Sequence, residues 1–372
     1  MANDEVIISV LRLINTQGIG AVRFHQLIDE FDTPRNALAF LEKNSKQKIW
    51  SPEEAKEELA KANKLGVKII LYTDDDYPYA LRGDRSASPV LYVKGDIKTL
   101  TSFEKSIAIV GGRAASVTGR KTAAKIAMEL TNENVCVISG MARGIDTSAH
   151  KGAMYGLNQT GKTIAVLGTG IDVIYPPENK EVYEQISKQG CIISEFPIGT
   201  KANISNFPRR NRIVAALSEG ILVIEASNNS GSLITAQHGI DLKKTIFAVP
   251  GTPGESRTQG SNSLIKNGAI LVENASDILP FLKGNKKVEQ PKLEQYVQKN
   301  LVFENNDDNY IEQKNAPETL QDYLTVDGVH IDELIRLTGK TASEIAMDII
   351  DLELRGVAER RAGNKIALTG DK

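Results

Sequence analysis

The sequence predicts an α/β protein in three parts: an N-terminal helical domain, a central domain built on a parallel sheet, and a C-terminal winged helix. From Ser106 onward, apolar runs alternate with amphipathic stretches of helical length, a pattern typical of a parallel sheet covered on both faces. The polar segment 284–316 predicts a flexible linker, and helices and a hairpin follow it. We therefore predict domains at 1–66, 67–283 and 317–372.

Local signals place the N-terminal helices. The stretch LRLINTQGIGAVRFHQLIDEF predicts two helices joined by a Gly-x-Gly hairpin at 17–20. Ser51, Pro52 and Glu54 supply an N-cap, a first-turn proline and a capping-box acid, and Gly66 predicts the end of that helix. The hairpin could bind a DNA phosphate, contact a protein or have only a structural role. The sequence does not decide between these roles.

The central domain predicts a binding site at one edge of its sheet. Two edge strands, VKIILY and PVLYVKG, precede the runs SIAIV, VCVIS, TIAVL, CIIS, ILVIE, TIFAV and AILV. In an open parallel sheet, ligands bind beyond the carboxyl ends of the strands. Small, polar or glycine-rich loops follow six of these runs: GGRAAS (111–116), SGMARGID (139–146), GTGIDVIYP (168–176), SEFPIGT (194–200), EASNNSGS (225–232) and VPGTPGES (249–256).

Composition limits the class of protein. The chain has 372 residues, of which 41% are hydrophobic and 25% charged, as in ordinary soluble globular proteins. Its net charge of −2 means that nucleic acid would be bound through a local basic patch. Cys136 and Cys191 lie in apolar runs and predict packed thiols in a reducing compartment. The apolar stretch 6–14 is too short to span a membrane, so we expect a cytoplasmic protein without a membrane partner.

Two nucleotide-binding motifs are rejected on context. GLNQTGKT (156–163) fits the P-loop expression, but a predicted helix precedes it and a strand follows it, the reverse of a working P-loop. Neither GGRAAS nor GTGIDV completes the dinucleotide motif G-x-G-x-x-G, and the second strand ends in Ile138-Ser139, where a ribose-binding acid would be expected.

The sequence contains few patterns typical of a catalytic site. The four histidines are scattered, without zinc-ligand spacing, and no G-x-S-x-G elbow is present. Asp146, Glu195 and Glu225 follow strands and could form an acid/base set, although Asp146 is placed to cap the next helix. We predict no catalytic residues, no metal and no cofactor.

Basic residues are better placed for binding. Arg113 and Arg143 fall in the first two loops, and Phe207-Pro208-Arg209-Arg210-Asn211-Arg212 opens a helix. Arginines beside a helix N-terminus can hold a phosphate, and an aromatic ring offers a base a stacking face. The alternative is that Phe207 is core and that these arginines hold Glu195 or Glu225 in a structural network.

At this point the residues resemble a known family. IAIVGGRAAS, SGMARGIDTSAHKGAM, LGTGIDVIYPPEN, SEFPIGT, FPRRNRIVAALS, VIEASNNSGSLITAQHGI and QGSNSLIKNGA closely resemble, in order, the DNA-processing protein A family (DprA/Smf) over roughly residues 70–282. The resemblance implies a Rossmann-like core, flanked by a helix-hairpin-helix or SAM-like domain and a winged helix. The family usually has Gly-Ser-Arg where this chain has Gly111-Gly112-Arg113, which removes a hydroxyl contact, and Arg143 is often lysine.

The resemblance implies a function in binding. Family members bind single-stranded DNA without cleaving it, protect incoming strands in natural transformation, load the RecA recombinase onto them, and form homodimers through the Rossmann-like domain. N–H groups of residues 139–144 would receive a backbone phosphate. Carried over by position, together with the aromatic residue noted above, the DNA-binding residues would be Arg113, Ser139, Gly140, Arg143, Gly144, Asp146, Phe207, Arg210, Asn211 and Arg212.

Two other readings of the sequence compete with this one. Nucleoside-monophosphate phosphoribohydrolases have related pockets and cleave the N-glycosidic bond, but their P-G-G-x-G-T-x-x-E signature is missing from SGSLITAQHGID. A transcription regulator would use the winged helix to read duplex DNA. The expected recognition helix argues against this because acids dominate it; its charged residues are Lys340, Glu344, Asp348, Asp351, Glu353 and Arg355, and only the wing, with Arg360, Arg361 and Lys365, is basic. We therefore predict a protein-contact or auxiliary role for that domain.

Overall fold

The computed structural model describes residues 2–45, 47–82, 84–101 and 103–282, and parts of the C-terminal segment between 320 and 369. The chain divides into two compact units, Met1–Leu301 and Val302–Lys372. Each is described by itself. The predicted linker, 284–316, lies outside the described residues.

The N-terminal part of the first unit is helical, as the sequence predicts. Its helices are α1 (Ala2–Ile14), α2 (Ala21–Phe31), α3 (Pro34–Asn44) and α4 (Pro52–Lys64). The predicted capping box at α4 is confirmed: the Ser51 hydroxyl accepts the Glu54 N–H at 3.1 Å, and the Glu54 carboxylate accepts the Ser51 N–H at 2.7 Å. Gly66 follows with a φ of +64°, a conformation that glycine adopts without steric cost and that ends the helix.

A nine-stranded sheet forms the centre of this unit, in the order β1-β2-β6-β5-β4-β3-β7-β8-β9. Strands β3 to β9 pair in parallel, whereas β1 and β2 are antiparallel at one edge, which confirms the expected edge strands. The strands are β1 (Lys68–Leu71), β2 (Val90–Gly95), β3 (Lys105–Gly111), β4 (Val135–Ser139), β5 (Thr163–Leu167), β6 (Cys191–Ser194), β7 (Gly220–Ile224), β8 (Thr245–Ala248) and β9 (Ile270–Leu271).

Helices cover both faces of the sheet. They are α5 (Ile97–Thr101), α6 (Val117–Asn132), α7 (Ile145–Gln159), α8 (Lys180–Gln189), α9 (Asn206–Leu217), α10 (Gly231–Asp241) and α11 (Gln259–Lys266). Alternate residues of β3 point to opposite faces, as the strand period of two requires. Ile107 and Ile109 pack with α6 and α7, whereas Ala108 and Val110 pack with α9 and α10. This two-sided burial explains why β3 is apolar throughout.

The N-terminal helices share a core with the edge of the sheet. Leu11 and Phe24 of these helices belong to the same buried cluster as Tyr92 of β2 and Ile186 of α8. The P-loop-like stretch lies elsewhere: α7 ends at Gln159 and β5 begins at Thr163, so the stretch joins a helix to the amino end of a strand. This order confirms that the stretch is not a working P-loop.

The second unit contains the pieces of a winged helix. A three-stranded antiparallel sheet has the order β10-β12-β11, with β10 (Val329–His330), β11 (Ala358–Arg361) and β12 (Lys365–Leu368), and α12 (Ile331–Thr338) follows β10. The strands β11 and β12 form the predicted hairpin. Of the charged residues expected on the recognition helix, Lys340, Asp351 and Arg355 lie outside the described residues.

Candidate nucleic-acid interface

An open groove lies at the carboxyl edge of the sheet, where the strand order reverses between β3 and β7. This switch point is where open α/β sheets bind ligands. The groove has a volume of about 510 Å³. It is formed mainly by the segments 110–115, 204–211 and 225–235, with Ala142, Asp146, Tyr175 and Arg257 completing the lining.

An arginine and two aromatic rings lie together in this groove. The guanidinium carbon of Arg113 is 5.4 Å from the ring centroid of Phe207, and the Tyr175 ring centroid is 5.5 Å from that of Phe207. Phe207 lies against Gly168, where a Cβ atom would approach the ring to 2.8 Å. Gly168, the loop glycine after β5, therefore leaves space for the Phe207 ring. A glycine in a turn does not by itself predict this contact.

Arg143 lies on an exposed part of the rim, the set of loops that follows the carboxyl ends of the parallel strands. Its Nε atom pairs with the carboxylate of Glu178, and both side chains are about half exposed. Such a surface pair is weak, so the guanidinium can exchange its partner for another anion. Gly144, the next residue, has a φ of +74°, which favours glycine at this turn into α7.

Two buried charged side chains, Asp146 and Arg210, hold the loop between β4 and α7 from inside, and both bind the backbone of Gly140. The Asp146 carboxylate accepts the N–H groups of Gly140 at 3.1 Å and of Ala142 at 3.3 Å. Arg210 donates through Nη1 to the carbonyl oxygen of Gly140 at 2.5 Å and to that of Val166. Both side chains are buried, so the pair fixes the shape of the rim from below.

These contacts correct two expectations. The N–H groups of Gly140 and Ala142 are not open to a phosphate, because Asp146 already accepts from both. Asp146 also does not cap α7; it lies inside the first turn and binds the loop that precedes the helix, while Gly144 is the N-cap residue.

Burial sets the electrostatics of this pair. It lowers the pKa of Arg210 to about 10, and Asp146 opposes that shift. Burial likewise raises the pKa of Asp146, while Arg210 and the two N–H donors oppose the rise. Arg113 acts on both groups, so it is the exposed member of one charge cluster.

Four of the predicted DNA-binding residues, Ser139, Gly140, Asp146 and Arg210, are therefore buried. The Ser139 hydroxyl donates to the carbonyl oxygen of Ile109 at 2.6 Å. The side-chain polar atoms of Ser139, Asp146 and Arg210 bind protein partners, which contradicts the expectation that these side chains are open to DNA.

Arg212 also has a partner inside the protein. Its Nη2 is 2.5 Å from the carboxylate of Glu195, whose side chain is 3% exposed. This confirms the structural alternative for Arg212. Asn211 is part of the groove lining, and its side-chain amide donates to the carbonyl oxygen of Gly231 at 3.2 Å.

A second carboxylate, that of Glu225, binds the N-cap residue of α6. Glu225, which follows β7, accepts the N–H of Ser116 at 2.7 Å and also its hydroxyl. Ser116 in turn caps α6 by accepting the Gly119 N–H at 2.9 Å. A Rossmann fold holds a phosphate at the start of the helix that follows its first parallel strand. In this chain the Glu225 carboxylate occupies that position.

The groove lining also contains Tyr175, Ile204 and Arg257, which the sequence does not single out as binding residues. Tyr175 follows the glycine-rich loop after β5, so its position was the available signal. Ile204 and Arg257 lie in loops whose path depends on tertiary packing. Within the described residues, no group of three His, Cys, Asp or Glu side chains could hold a metal ion. No described helix is both long and apolar enough to cross a bilayer.

Comparison with known proteins places the chain in a family. The family model for DNA recombination-mediator protein A matches residues 68–283, and models for the DprA winged helix domain and the DprA-like N-terminal HHH domain match 312–364 and 4–61. Protein Smf of Synechocystis is 32% identical over 315 residues, covering 78% of this chain and 77% of the relative. DNA processing protein DprA of Streptococcus pneumoniae is 42% identical over 206 residues, covering 55% and 71%.

Two solved structures are similar. That of DNA processing protein A from Streptococcus pneumoniae has a TM-score of 0.62 at 34% identity, covering 75% of this chain and 98% of the other. That of DNA processing protein A from Helicobacter pylori, described for its single-stranded DNA binding mode, has a TM-score of 0.52 at 28% identity, covering 58% and 95%. With the sheet, the flanking domains and the rim motifs in agreement, the chain belongs to the DNA recombination-mediator protein A family.

Proposed function

We propose that this protein binds single-stranded DNA along the groove and does not cleave it. The observation that carries the proposal is the placement of the Arg113 guanidinium beside the Phe207 ring in an open cavity. A cation that meets a phosphate next to a ring that meets a base is the combination used to bind single strands without sequence preference. A duplex hides the faces of its bases, so the ring favours a single strand.

The relatives support this proposal. The Helicobacter pylori protein is described as binding single-stranded DNA, and the family description names recombination mediation. A Cβ atom at Gly144 would lie 2.7 Å from the Arg113 carbonyl oxygen, so Arg143 and Gly144 adjoin the loop that holds Arg113. We propose that Arg113, Arg143, Gly144, Phe207 and Asn211 meet the strand.

The contacts of the carboxylates favour binding over catalysis. An acid/base set needs a carboxylate that is free to exchange a proton with substrate. Asp146, Glu195 and Glu225 each bind protein donors instead. A nucleoside-monophosphate phosphoribohydrolase remains the competing function, and release of adenine from AMP by the purified chain would favour it.

Transfer of the bound strand to a recombinase is also a proposal. We propose that the chain loads the RecA recombinase onto the strand it protects, in the cytoplasm, and that it acts as a homodimer through the central domain. Leu242 and Leu271, both nearly half exposed near the β8–β9 edge, support a dimer contact there. Strand exchange by RecA on protein-coated DNA, with and without this chain, tests the loading. Sedimentation of the chain tests the dimer.

Arg113→Ala should weaken binding of oligo-dT by about 1 to 3 kcal/mol, because a charge-assisted phosphate contact is lost. The slope of log affinity against log salt should become shallower by about one counterion. Fluorescence anisotropy titrations at several salt concentrations measure both quantities.

Lys188→Ala is the matched control for Arg113. Lys188 is an exposed cation at the end of α8, at the opposite edge of the sheet, so its loss should leave affinity and slope unchanged. Equal behaviour of the two variants would contradict the placement of the strand in the groove.

Glu178→Gln should strengthen binding of oligo-dT at low salt, by up to about fivefold, because the Arg143 guanidinium then has no competing carboxylate. The gain should fade as salt screens the charges. Anisotropy titrations at low and at physiological salt measure the effect.

Glu181→Gln controls for the general removal of one negative charge. Glu181 is exposed in the first turn of α8, next to the Glu178 segment, and is not the partner of Arg143. An equal gain in both variants would show a general charge effect and would remove the case for Arg143 as a phosphate ligand.

A further inference from the structure

Tyr175 is the aromatic residue with the most open surface in the groove. Its side chain is 43% exposed, and it lines the same cavity as Arg113 and Phe207. Ile204, which is 87% exposed, lines this cavity too. Large apolar surface that is open to water within a charged groove indicates a binding role, because exposure of such residues gains the isolated protein nothing.

Phe207 has less surface to offer. Its ring lies against Gly168 and is also contacted by the Arg113 guanidinium at 5.4 Å and by the Tyr175 ring at 5.5 Å. The two rings are inclined by 34° to each other. A planar ligand that enters the groove therefore meets the Tyr175 ring as the outer part of a two-ring surface.

Phosphate ligands lie close to this ring. Glu178, the partner of Arg143, is three residues further along the chain from Tyr175, and the Arg113 guanidinium is 5.4 Å from the centroid of the neighbouring Phe207 ring. In a single strand, each base is attached to a phosphate within one nucleotide. A strand held by the two arginines would thus bring a base onto the rings between them.

We propose that Tyr175 stacks on a base of single-stranded DNA and forms, with Phe207, a two-ring stacking surface between Arg113 and Arg143. This inference rests on the proposed function and extends it to a residue that recognises the base. The same surface makes the protein distinguish DNA from a phosphate backbone without bases, because only a base supplies a ring to stack.

The test compares two ligands of equal length, oligo-dT and an oligomer of abasic deoxyribose phosphates, on the full chain. Tyr175→Leu should weaken binding of oligo-dT about fivefold or more, as expected for loss of one base–aromatic stack. Tyr175→Phe should bind as the unchanged protein does, because the ring is kept. On the abasic oligomer, the Leu variant and the unchanged protein should bind equally.

Tyr155→Leu is the matched control, because Tyr155 is a 65% exposed tyrosine of α7 that does not line the groove. Equal affinity of Tyr175→Leu and the unchanged protein for oligo-dT would overturn the inference, as would an equal loss on the abasic oligomer. Failure of the proposed function has a different signature: the unchanged protein would not bind oligo-dT, or Arg113→Ala would bind it normally.

A second measurement needs no substitution and uses the unchanged protein. Oligo-dT containing 5-iodouracil couples under ultraviolet light to an aromatic ring that stacks on it, and mass spectrometry identifies the peptide. Coupling at Tyr175 in the unchanged protein supports the inference. Coupling confined to peptides that lack Tyr175 overturns it.

Discussion

Arg210→Met should lower the free energy of unfolding by about 3 to 5 kcal/mol, because it removes the donor of two buried carbonyl oxygens and the positive charge that offsets the buried Asp146 carboxylate. Asp146 would stay buried without its cation, and the carbonyl oxygens of Gly140 and Val166 would lose their donor. Urea unfolding followed by circular dichroism measures the change. The expected effect on DNA binding is secondary, because the Arg210 side chain is buried and donates to backbone carbonyl oxygens.

Arg209→Met is the matched control. Arg209 is the exposed neighbour in the chain, with its guanidinium 5.4 Å from the Phe196 ring, so its loss should cost less than about 1 kcal/mol. The double variant Arg210→Met with Asp146→Asn should cost less than the two single changes together, because the buried charge disappears with its partner. Additive costs would contradict an electrostatic coupling between the two side chains.

The second large effect concerns pH. His150 of α7 is fully buried, and its Nδ1 is 2.8 Å from the Thr163 hydroxyl, which itself donates to the carbonyl oxygen of Val137. We therefore assign the proton to Nδ1, which leaves Nε2 as a buried acceptor without a partner. Burial, with a smaller contribution from Arg210, lowers the pKa of His150 to about 3.

Because this pKa lies below the ordinary value of 6.5, the unfolded chain takes up the proton first as pH falls. The stabilisation by neutral His150 is fully present above pH 6.5 and is lost progressively between 6.5 and about 3. Between pH 7 and pH 5.5 the loss should be about 1 kcal/mol. Urea unfolding at the two pH values measures it.

His150→Gln isolates this contribution from the carboxylates that titrate lower. The variant should lose about 1 kcal/mol less than the unchanged protein over the same pH interval, whatever its own stability at pH 7. Parallel pH dependence in the two proteins would show that His150 takes up its proton in the folded state.

The fold was predictable because its signals are local. Each parallel strand is an apolar run bounded by glycine-rich or polar loops, and Ser51 to Glu54 encode a capping box within four residues. The short β9 was predicted as a longer run, AILV, but only Ile270–Leu271 pair with β8. Its length depends on the neighbouring strand, which a local pattern does not contain.

The glycine-rich and polar loops that line the groove were predictable, but the direction of each side chain was not. Arg210 and Arg212 lie in one charged run, yet one donates to the carbonyl oxygens of Gly140 and Val166 and the other pairs with Glu195. Exposure depends on which helix face meets the sheet, and a cluster of arginines within a single turn spans several faces. The sequence does not single out Tyr175, because a tyrosine at the end of a loop has no periodic pattern to mark it.

The carboxylates of Asp146 and Glu225 have a consequence for competition in the cell. They satisfy backbone donors where related folds receive the phosphate of a small metabolite, so a mononucleotide finds only the outer arginines, each a weak contact when exposed. A polymer adds many such contacts along its length and displaces many counterions at once. We therefore expect the chain to prefer long strands to free nucleotides, because its own carboxylates occupy these backbone donors.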